Sequence, residues 1–400
     1  MSLAVTRGIG NSLSEAGYRT AYIGKWNLGG VPRDRYIDRN ERLGFEFWRA
    51  NNCCHDYMHS YYFDNDNVRH EIDGYSPIGF TDIALSYIKE QASGKKPFAM
   101  FLSYSPPHDP YLLMPPEDVA LCETRAPHVR LRRNVSEITE DKYVPPKGHH
   151  AYGTTDPWAK YRKEVTTDKL KSDLSGYYRH IEKLDEQMGR VIDLLKEQGI
   201  YDDTVIVYTS DHGNMLGSHG CLNKQWYFEE SVRVPFLINW PGKITSGRRD
   251  QVISLVDVVP SLLGLLGIRS NDKYDGADIS RAFLDRDADM SNIAYLYNIV
   301  PAHQAWRREI FSWRAITDGH IVYVANQDAS PLAMYDLDTD PYEFNNLLPS
   351  NPFAGGNLKQ LLEIEVNKYD GFLPWQDLLR NYGLADEWNK SQAHFGYPTL

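Results

Sequence analysis

Four short runs in this sequence, Ala21–Ile23, Phe98–Tyr104, Val205–Thr209 and Pro235–Asn239, are apolar at nearly every position instead of every second one. A strand with one wet face alternates, because successive side chains point to opposite sides of the sheet. A strand that is apolar throughout is covered on both faces, as in a parallel sheet. Stretches with helical spacing lie between these runs. Phe80–Gln91 ends before Gly94-Lys95-Lys96, and Asp168–Gln198 carries Leu174, Tyr177, Ile181, Leu184, Met188, Val191 and Leu195 on one stripe and stops at Gly199. Leu255–Leu266 reads as a third helix. Buried strands alternating with amphipathic helices predict a doubly wound α/β layer structure.

The texture changes after about residue 290. Ile310–Ile316, His320–Val324 and Met334–Leu337 are short and β-rich, which predicts an antiparallel sheet, with Leu358–Tyr369 as an accompanying helix. The expected organisation is an α/β domain over 1–290 and a small α+β subdomain over 291–400. Leu112–Trp158, rich in prolines and basic residues, reads as a long excursion over the rim of a site. The formal charge of −11 argues against general binding to nucleic acid or anionic membranes, yet leaves room for a locally positive pocket. Four cysteines in 400 residues make no disulfide framework, and adjacent Cys53-Cys54 read as packed thiols. The most apolar stretch, Val252–Ile268, is broken by Asp257 and Pro260 and is not a membrane span. No charged-then-apolar leader is present in these residues, and the compartment stays open.

Chemistry concentrates where the third apolar run ends. Thr204–Thr209 passes directly into Ser210-Asp211-His212-Gly213, and Lys224 follows Gly217-Ser218-His219-Gly220. Open α/β sheets bind ligands at the C-terminal ends of their strands. A carboxylate and an imidazole there suit a metal ion. Both reach one ion only if the strand has already ended in a turn, which Gly213 permits. The plain alternative is an aspartate capping the next helix. A nearby lysine would neutralise an anion on that metal. Gly17-Tyr18-Arg19-Thr20-Ala21-Tyr22-Ile23-Gly24-Lys25-Trp26-Asn27-Leu28-Gly29 repeats the design, an apolar strand delivering a lysine into a glycine turn.

Together with Ser105-Pro106-Pro107-His108-Asp109-Pro110-Tyr111, Glu229-Glu230-Ser231-Val232-Arg233-Val234-Pro235 and the run from Met334-Tyr335-Asp336-Leu337 through Asp340-Pro341-Tyr342-Glu343 to Asn346-Leu347, these segments resemble the sulfatase family of the alkaline phosphatase superfamily. The resemblance implies an alkaline-phosphatase-like three-layer sandwich with a mostly parallel central sheet and a small C-terminal antiparallel subdomain. It implies a hydrolase acting on a small-molecule or carbohydrate sulfate ester. By the same likeness Asp211 and His212 ligate a divalent cation, Ca2+ first and Mg2+ second. Lys25 and Lys224 hold the sulfate, and His108 binds it and protonates the leaving oxygen. Asn27 stands where the family usually has a histidine, and an amide cannot shuttle a proton. Asn27 and His55 are expected to bind substrate, His55 lying with Asp56 and His59 in a polar, aromatic-rich loop that reads equally well as structural. Arg233 is expected to form a structural ion pair, and His219 to support the site from behind.

One part of the pattern has no counterpart among these 400 residues. The family begins with two metal-binding aspartates and a Cys-x-Pro-x-Arg or Ser-x-Pro-x-Arg segment whose Cys or Ser becomes the formylglycine nucleophile. Cys53, Cys54, Cys122 and Cys221 are followed two residues later by His55, Asp56, Thr124 and Asn223, never by proline, and no serine fits. The expectation is therefore a chain without the nucleophile-bearing segment, with weak affinity for the ion and little or no turnover. The sheet should be open, or covered by another segment, where that first strand would lie. Two other functions fit the same motifs: a phosphodiesterase or phosphonate monoester hydrolase, and a non-catalytic binder of sulfated glycans.

Overall fold

β1 (Arg19–Lys25) runs between β2 (Phe47–Asn51) and β5 (Phe98–Ser103) and is parallel to both, with Ala21 opposite Phe47 on one side and Met100 on the other. β3 (Tyr61–Phe63) and β4 (Arg69–Glu71) extend the sheet antiparallel beyond β2, giving the order β4-β3-β2-β1-β5. The structure is a computed structural model that describes residues 7–136, 166–288, 290, 292–299, 312–350, 355–369 and 371–394.

The unbroken apolar character of β1 has the expected cause: both faces are covered, and Ala21 and Ile23 are fully buried. On one face Ile23 packs with Ile72 and with Phe80 and Ala84 of the helix Ser76–Ala92. On the other, Tyr22 sits in an aromatic group with Trp26 at 4.8 Å and Trp48 at 5.5 Å between ring centres, beside Phe45 and Phe101. The long helix spans Thr167–Glu197, within a residue of its predicted bounds, and Thr166 caps it by accepting the Lys169 amide. Its stripe residues Leu174, Leu184, Val191 and Leu195 are buried, and Val191, Leu194 and Leu195 pack on Phe98, Met100, Leu102 and Ile206. Ile181, expected on that stripe, is exposed.

Two expectations need correction. β6 (Ile206–Thr209) and β7 (Phe236–Asn239) do not join the parallel sheet; they pair antiparallel with each other, Ile206 opposite Asn239. An apolar run fixes neither the neighbouring strand nor cover on both faces. Here Val205, Phe236 and Ile238 are covered on one face by Leu265, Ile279 and Phe283, while Leu237 on the other is 63% exposed. Among the described residues no strand pairs with the outer edge of β5, and every residue of β5 keeps partial solvent access. The stretch from Leu112 is also less irregular than expected: Pro116–Arg125 is helical, and Asp118 is tied to Arg179 of the long helix at 2.6 Å. Residues 137–158 of that stretch lie outside the described residues.

β8 (Ala294–Asn298), β9 (Trp313–Thr317), β10 (Ile321–Asn326) and β11 (Pro331–Asp336) form the antiparallel sheet expected near the C-terminus. Ile316, Tyr323 and Met334 pack on Leu358, Leu362 and Val366 of the helix Gly356–Tyr369. Its opposite face, with Trp313, Val322, Val324 and Leu332, packs on Met215, Trp226, Tyr227 and Phe228. This second contact fixes the backbone on either side of Lys224. No described helix is long and apolar enough to cross a membrane.

Candidate active site

The loop after β5 is braced before it reaches the cleft. The His108 amide donates to Ser105 O at 3.2 Å, and the buried Tyr57 hydroxyl donates to His108 O at 2.6 Å. His108 then presents its two ring nitrogens to different partners. Nδ1 lies 3.0 Å from Asp109 Oδ1 and 2.9 Å from Asp109 O, while Nε2 lies 2.5 Å from Lys224 Nζ. The hydrogen-bond pattern assigns the tautomer: Nδ1–H donates to Asp109, and Nε2 accepts from the ammonium. The hydrogen bond from His108 holds the Asp109 carboxyl down at about 2.

Asp211 and His212 lie beyond the end of β6, as ligation of one ion requires. His212 N–H donates to Asp211 Oδ1 at 3.0 Å, and His212 Nδ1–H donates to Gly213 O at 2.8 Å, so Nε2 is turned away from the backbone. Burial, opposed in part by Asp211, pushes the His212 pKa down and keeps the ring neutral. The Asp211 side chain is 73% exposed. Gly213 is required for a different reason from the one the sequence suggested. Its amide donates to Ser231 O, and a Cβ there would lie 2.0 Å from Glu230 O, so close backbone approach demands glycine.

Lys25 closes β1. Gly24 before it has φ +107, and a Cβ would meet Ser103 O at 1.9 Å. The Tyr22 hydroxyl donates to Lys25 O at 2.7 Å. The His55 ring lies 4.5 Å from that of His108, and the His212 ring 6.1 Å from it on another side. Burial, then the charges of His108 and Lys25, push His55 down to about 3. Lys25, His55, His108, Asp211, His212 and Lys224, drawn from distant parts of the chain, thus share one neighbourhood. Asn27, expected to bind substrate, is exposed at φ +56, and its backbone amide bonds Asn52 O. Sequence reasoning assigned no role to Asp109 or Tyr57. Adjacency to His108 signals the first; nothing local signals Tyr57, since it acts across 51 residues.

Asp211 and His212 supply two outward-facing donors of suitable chemistry, so they fit as part of a cation's shell. Among the described residues they form no group of three ligating side chains; the one such group is His219, Glu230 and Glu343, on the buried side of the same loop. Arg233 pairs with Glu229 at 3.1 Å, as expected. All four cysteines are free.

Comparison with known proteins identifies the family. Residues 4–268 match the sequence model of the family described as Sulfatase, and residues 217–368 match that of the N-sulphoglucosamine sulphohydrolase C-terminal region. The chain is 32% identical over 357 residues to the ulvan-active sulfatase of Formosa agariphila, covering 88% of this chain and 63% of that protein. It is 26% identical to the N-acetylglucosamine-6-O-sulfatase of Bacteroides thetaiotaomicron, covering 89% of this chain and 72% of that protein. The solved structure of BT4656 in complex with its substrate D-glucosamine-2-N,6-O-disulfate superposes with a TM-score of 0.74 at 23% identity, over 92% of this chain and 84% of that one. A phosphonate monoester hydrolase from Silicibacter pomeroyi superposes with a TM-score of 0.63 at 19% identity, over 93% and 81% of the two chains. These two likenesses concern the fold.

Proposed function

Because the chain belongs to the sulfatase family of the alkaline phosphatase superfamily, we propose that its cleft takes sulfate esters carried on carbohydrate. The observation that carries this reading is the contact of Lys224 Nζ with His108 Nε2, in a group that also holds His55 and Lys25. In the unliganded cleft the ammonium has the imidazole as its acceptor. An entering sulfate offers oxygens that accept more strongly, so Lys224 turns to the anion and frees Nε2. His108, with Nδ1–H held by Asp109, would take up a proton at the freed Nε2, from the Lys224 ammonium or from solvent, and pass it to the departing sugar oxygen. Lys25 adds a second cation where negative charge spreads as the S–O bond weakens. Asp211 and His212 would hold the divalent cation, Ca2+ by its preference for oxygen donors, which withdraws charge from the sulfate.

The 400 residues contain no Cys or Ser in the x-Pro-x-Arg setting. The proposal for this chain by itself is therefore recognition of the sulfated sugar with little turnover. The specific sugar follows the relatives: a sulfated glucosamine or ulvan is the first class to try. Calorimetric titration with glucosamine 6-sulfate and with glucosamine tests the reading. Saturable binding that requires the sulfate supports it; equal binding of both sugars, or of neither, sinks it. An aryl sulfate assay tests the second half, and turnover at ordinary enzyme rates would refute that half alone.

A further inference from the structure

The loop that carries Lys224 into the cleft has a second polar cluster on its buried side, which the chemistry above does not use. His219, Glu230 and Glu343 each bring one ligating atom to within 4.8 Å of the other two, Glu343 reaching in from the turn after β11. All three are more than nine-tenths buried: the side chains of His219 and Glu230 are 8% and 3% exposed, and Glu343 is 2% exposed. Asn134, fully buried, closes one side by donating from Nδ2 to Glu230 Oε1 at 2.7 Å and to His219 Nε2 at 3.1 Å. Arg132 lies 3.0 Å from the same Oε1, and Glu343 Oε2 accepts the Glu229 amide at 2.9 Å. Two carboxylate oxygens are left over. Glu230 Oε2 and Glu343 Oε1 have no hydrogen-bond partner, and Glu230 Oε2 stands 3.9 Å from His219 Nε2.

Two buried carboxylates facing each other with unpaired oxygens need compensation. Arg132 answers the Glu230 charge through Oε1 but leaves Glu230 Oε2 and Glu343 Oε1 without a partner. A proton on Glu343 would remove one charge, yet Oε1 has no acceptor within reach. A trapped water would bridge the oxygens and leave the Glu343 charge in place. A divalent cation answers both needs at once. Glu230 Oε2 and His219 Nε2 stand 3.9 Å apart, beyond a hydrogen bond, whereas ligands about 2 Å from one ion lie about 3.3 Å apart at the tetrahedral angle, so a small inward rotation of these side chains would close them on an ion.

We propose that His219, Glu230 and Glu343 form a closed structural site for a divalent transition cation, with Zn2+ the best match to one imidazole and two carboxylates. A half-turn of the Asn134 amide would present Oδ1, which also lacks a partner, as a fourth donor. The ion would pin the Lys224 loop to the C-terminal sheet, since Glu343 follows β11 and the other two ligands flank Lys224. This site is separate from Asp211 and His212, and it does not depend on the substrate reading above.

The test uses the whole chain, purified without added metal, stripped with a chelator and then titrated with Zn2+ and with Co2+. Measured are bound metal, thermal stability and the visible absorption of the cobalt form. Expected are one equivalent of tightly held metal, a lowered melting temperature after stripping that Zn2+ restores, and cobalt bands of a low-symmetry nitrogen–oxygen site. Glu343→Gln and Glu230→Gln, which keep shape and remove charge, should each weaken Zn2+ binding by at least about tenfold. Asp211→Asn should leave that binding intact. The proposal fails if the stripped wild-type chain shows no Zn2+-dependent change in stability. It fails equally if the response survives Glu343→Gln or disappears in Asp211→Asn. If Glu343 merely carries a proton, Glu343→Gln will fold with unchanged stability and stripping will do nothing.

Discussion

Two polar clusters hang from the same stretch of backbone, Ser210 to Glu230, and they are built on opposite principles. In the cleft, Asp211 is largely exposed and His212 partly so, with one His212 ring nitrogen tied down and the other turned from the backbone, while His108 holds Asp109 with one ring nitrogen and the mobile Lys224 ammonium with the other. On the buried side, His219, Glu230 and Glu343 are sealed and face one another. The first arrangement keeps cationic and donor groups ready for something that arrives from solvent. The second cannot exchange with solvent easily and holds its shape only if its charge is balanced from within. One loop therefore separates a site made for a transient anion from a site that needs a permanent partner.

The seam between the two is Gly213, and Gly213→Ala is the largest expected perturbation. Its amide bonds Ser231, the neighbour of Glu230, and an added methyl would collide with the Glu230 carbonyl. Backbone cannot move aside as a flexible side chain can, so a loss of about 3 kcal/mol in denaturant unfolding is expected. Sulfated-sugar binding should fall with it. Normal stability with normal binding would show that the two clusters do not share this support.

Lys224→Ala should separate them. The lysine faces the cleft, so the expected loss is in binding: about tenfold to a hundredfold weaker affinity for a sulfated sugar, from the loss of a charge-assisted hydrogen bond. Thermal stability should change little, because His108 keeps its contacts to Asp109 and to the Tyr57 hydroxyl. A large loss of stability without a loss of affinity would move Lys224 from the cleft to the scaffold.

The sequence carried these two clusters unequally. His108 and Lys224 lie 116 residues apart, and only the likeness to a known family joined them in advance. The same is true of Asp211 with Lys25. The long helix and the covered strands were legible from periodicity alone, since burial on a fixed face leaves a fixed spacing. Strand partners were not: β6 and β7 pack one face on Leu265, Ile279 and Phe283, and the same apolar run would serve either pairing direction. Glu230 and Glu343 were illegible for a deeper reason. A glutamate in sequence reads as solvated surface, and its burial depends on a partner 113 residues away.

The protonation of His55 gives a smaller effect with a definite sign. Its folded pKa of about 3 lies below the ordinary imidazole value of 6.5, so the unfolded chain binds the extra proton between those limits. The stabilising contribution is fully present above pH 6.5 and drains away as pH falls toward 3. The groups acting on the ring, after burial itself, are His108, Lys25, Asp109 and Arg33. His55→Gln should flatten the pH dependence of unfolding free energy across that window by up to one proton's slope. His180 and His219, held at about 4, will keep the remainder. An unchanged slope would mean that His55 titrates alike in the folded and unfolded chain, and the crowding of cations around it would have to be weaker than its surroundings indicate.

Arg233→Ala should do the least, and that is its use. Arg233 pairs with Glu229 at 3.1 Å across one helical turn, but its side chain is 72% exposed. Water screens such a pair, and a change of no more than about 0.5 kcal/mol is expected. Glu229 also gives its backbone amide to Glu343, so the substitution stands one residue from the sealed cluster without altering any group in it. If the sealed cluster is held by an internal counter-charge, removing this outer cation leaves Zn2+ affinity and melting temperature within error of wild type. A marked fall in either would instead show that the cluster draws its balance from surface charge, and the contrast between a solvent-facing and a self-contained site would no longer hold.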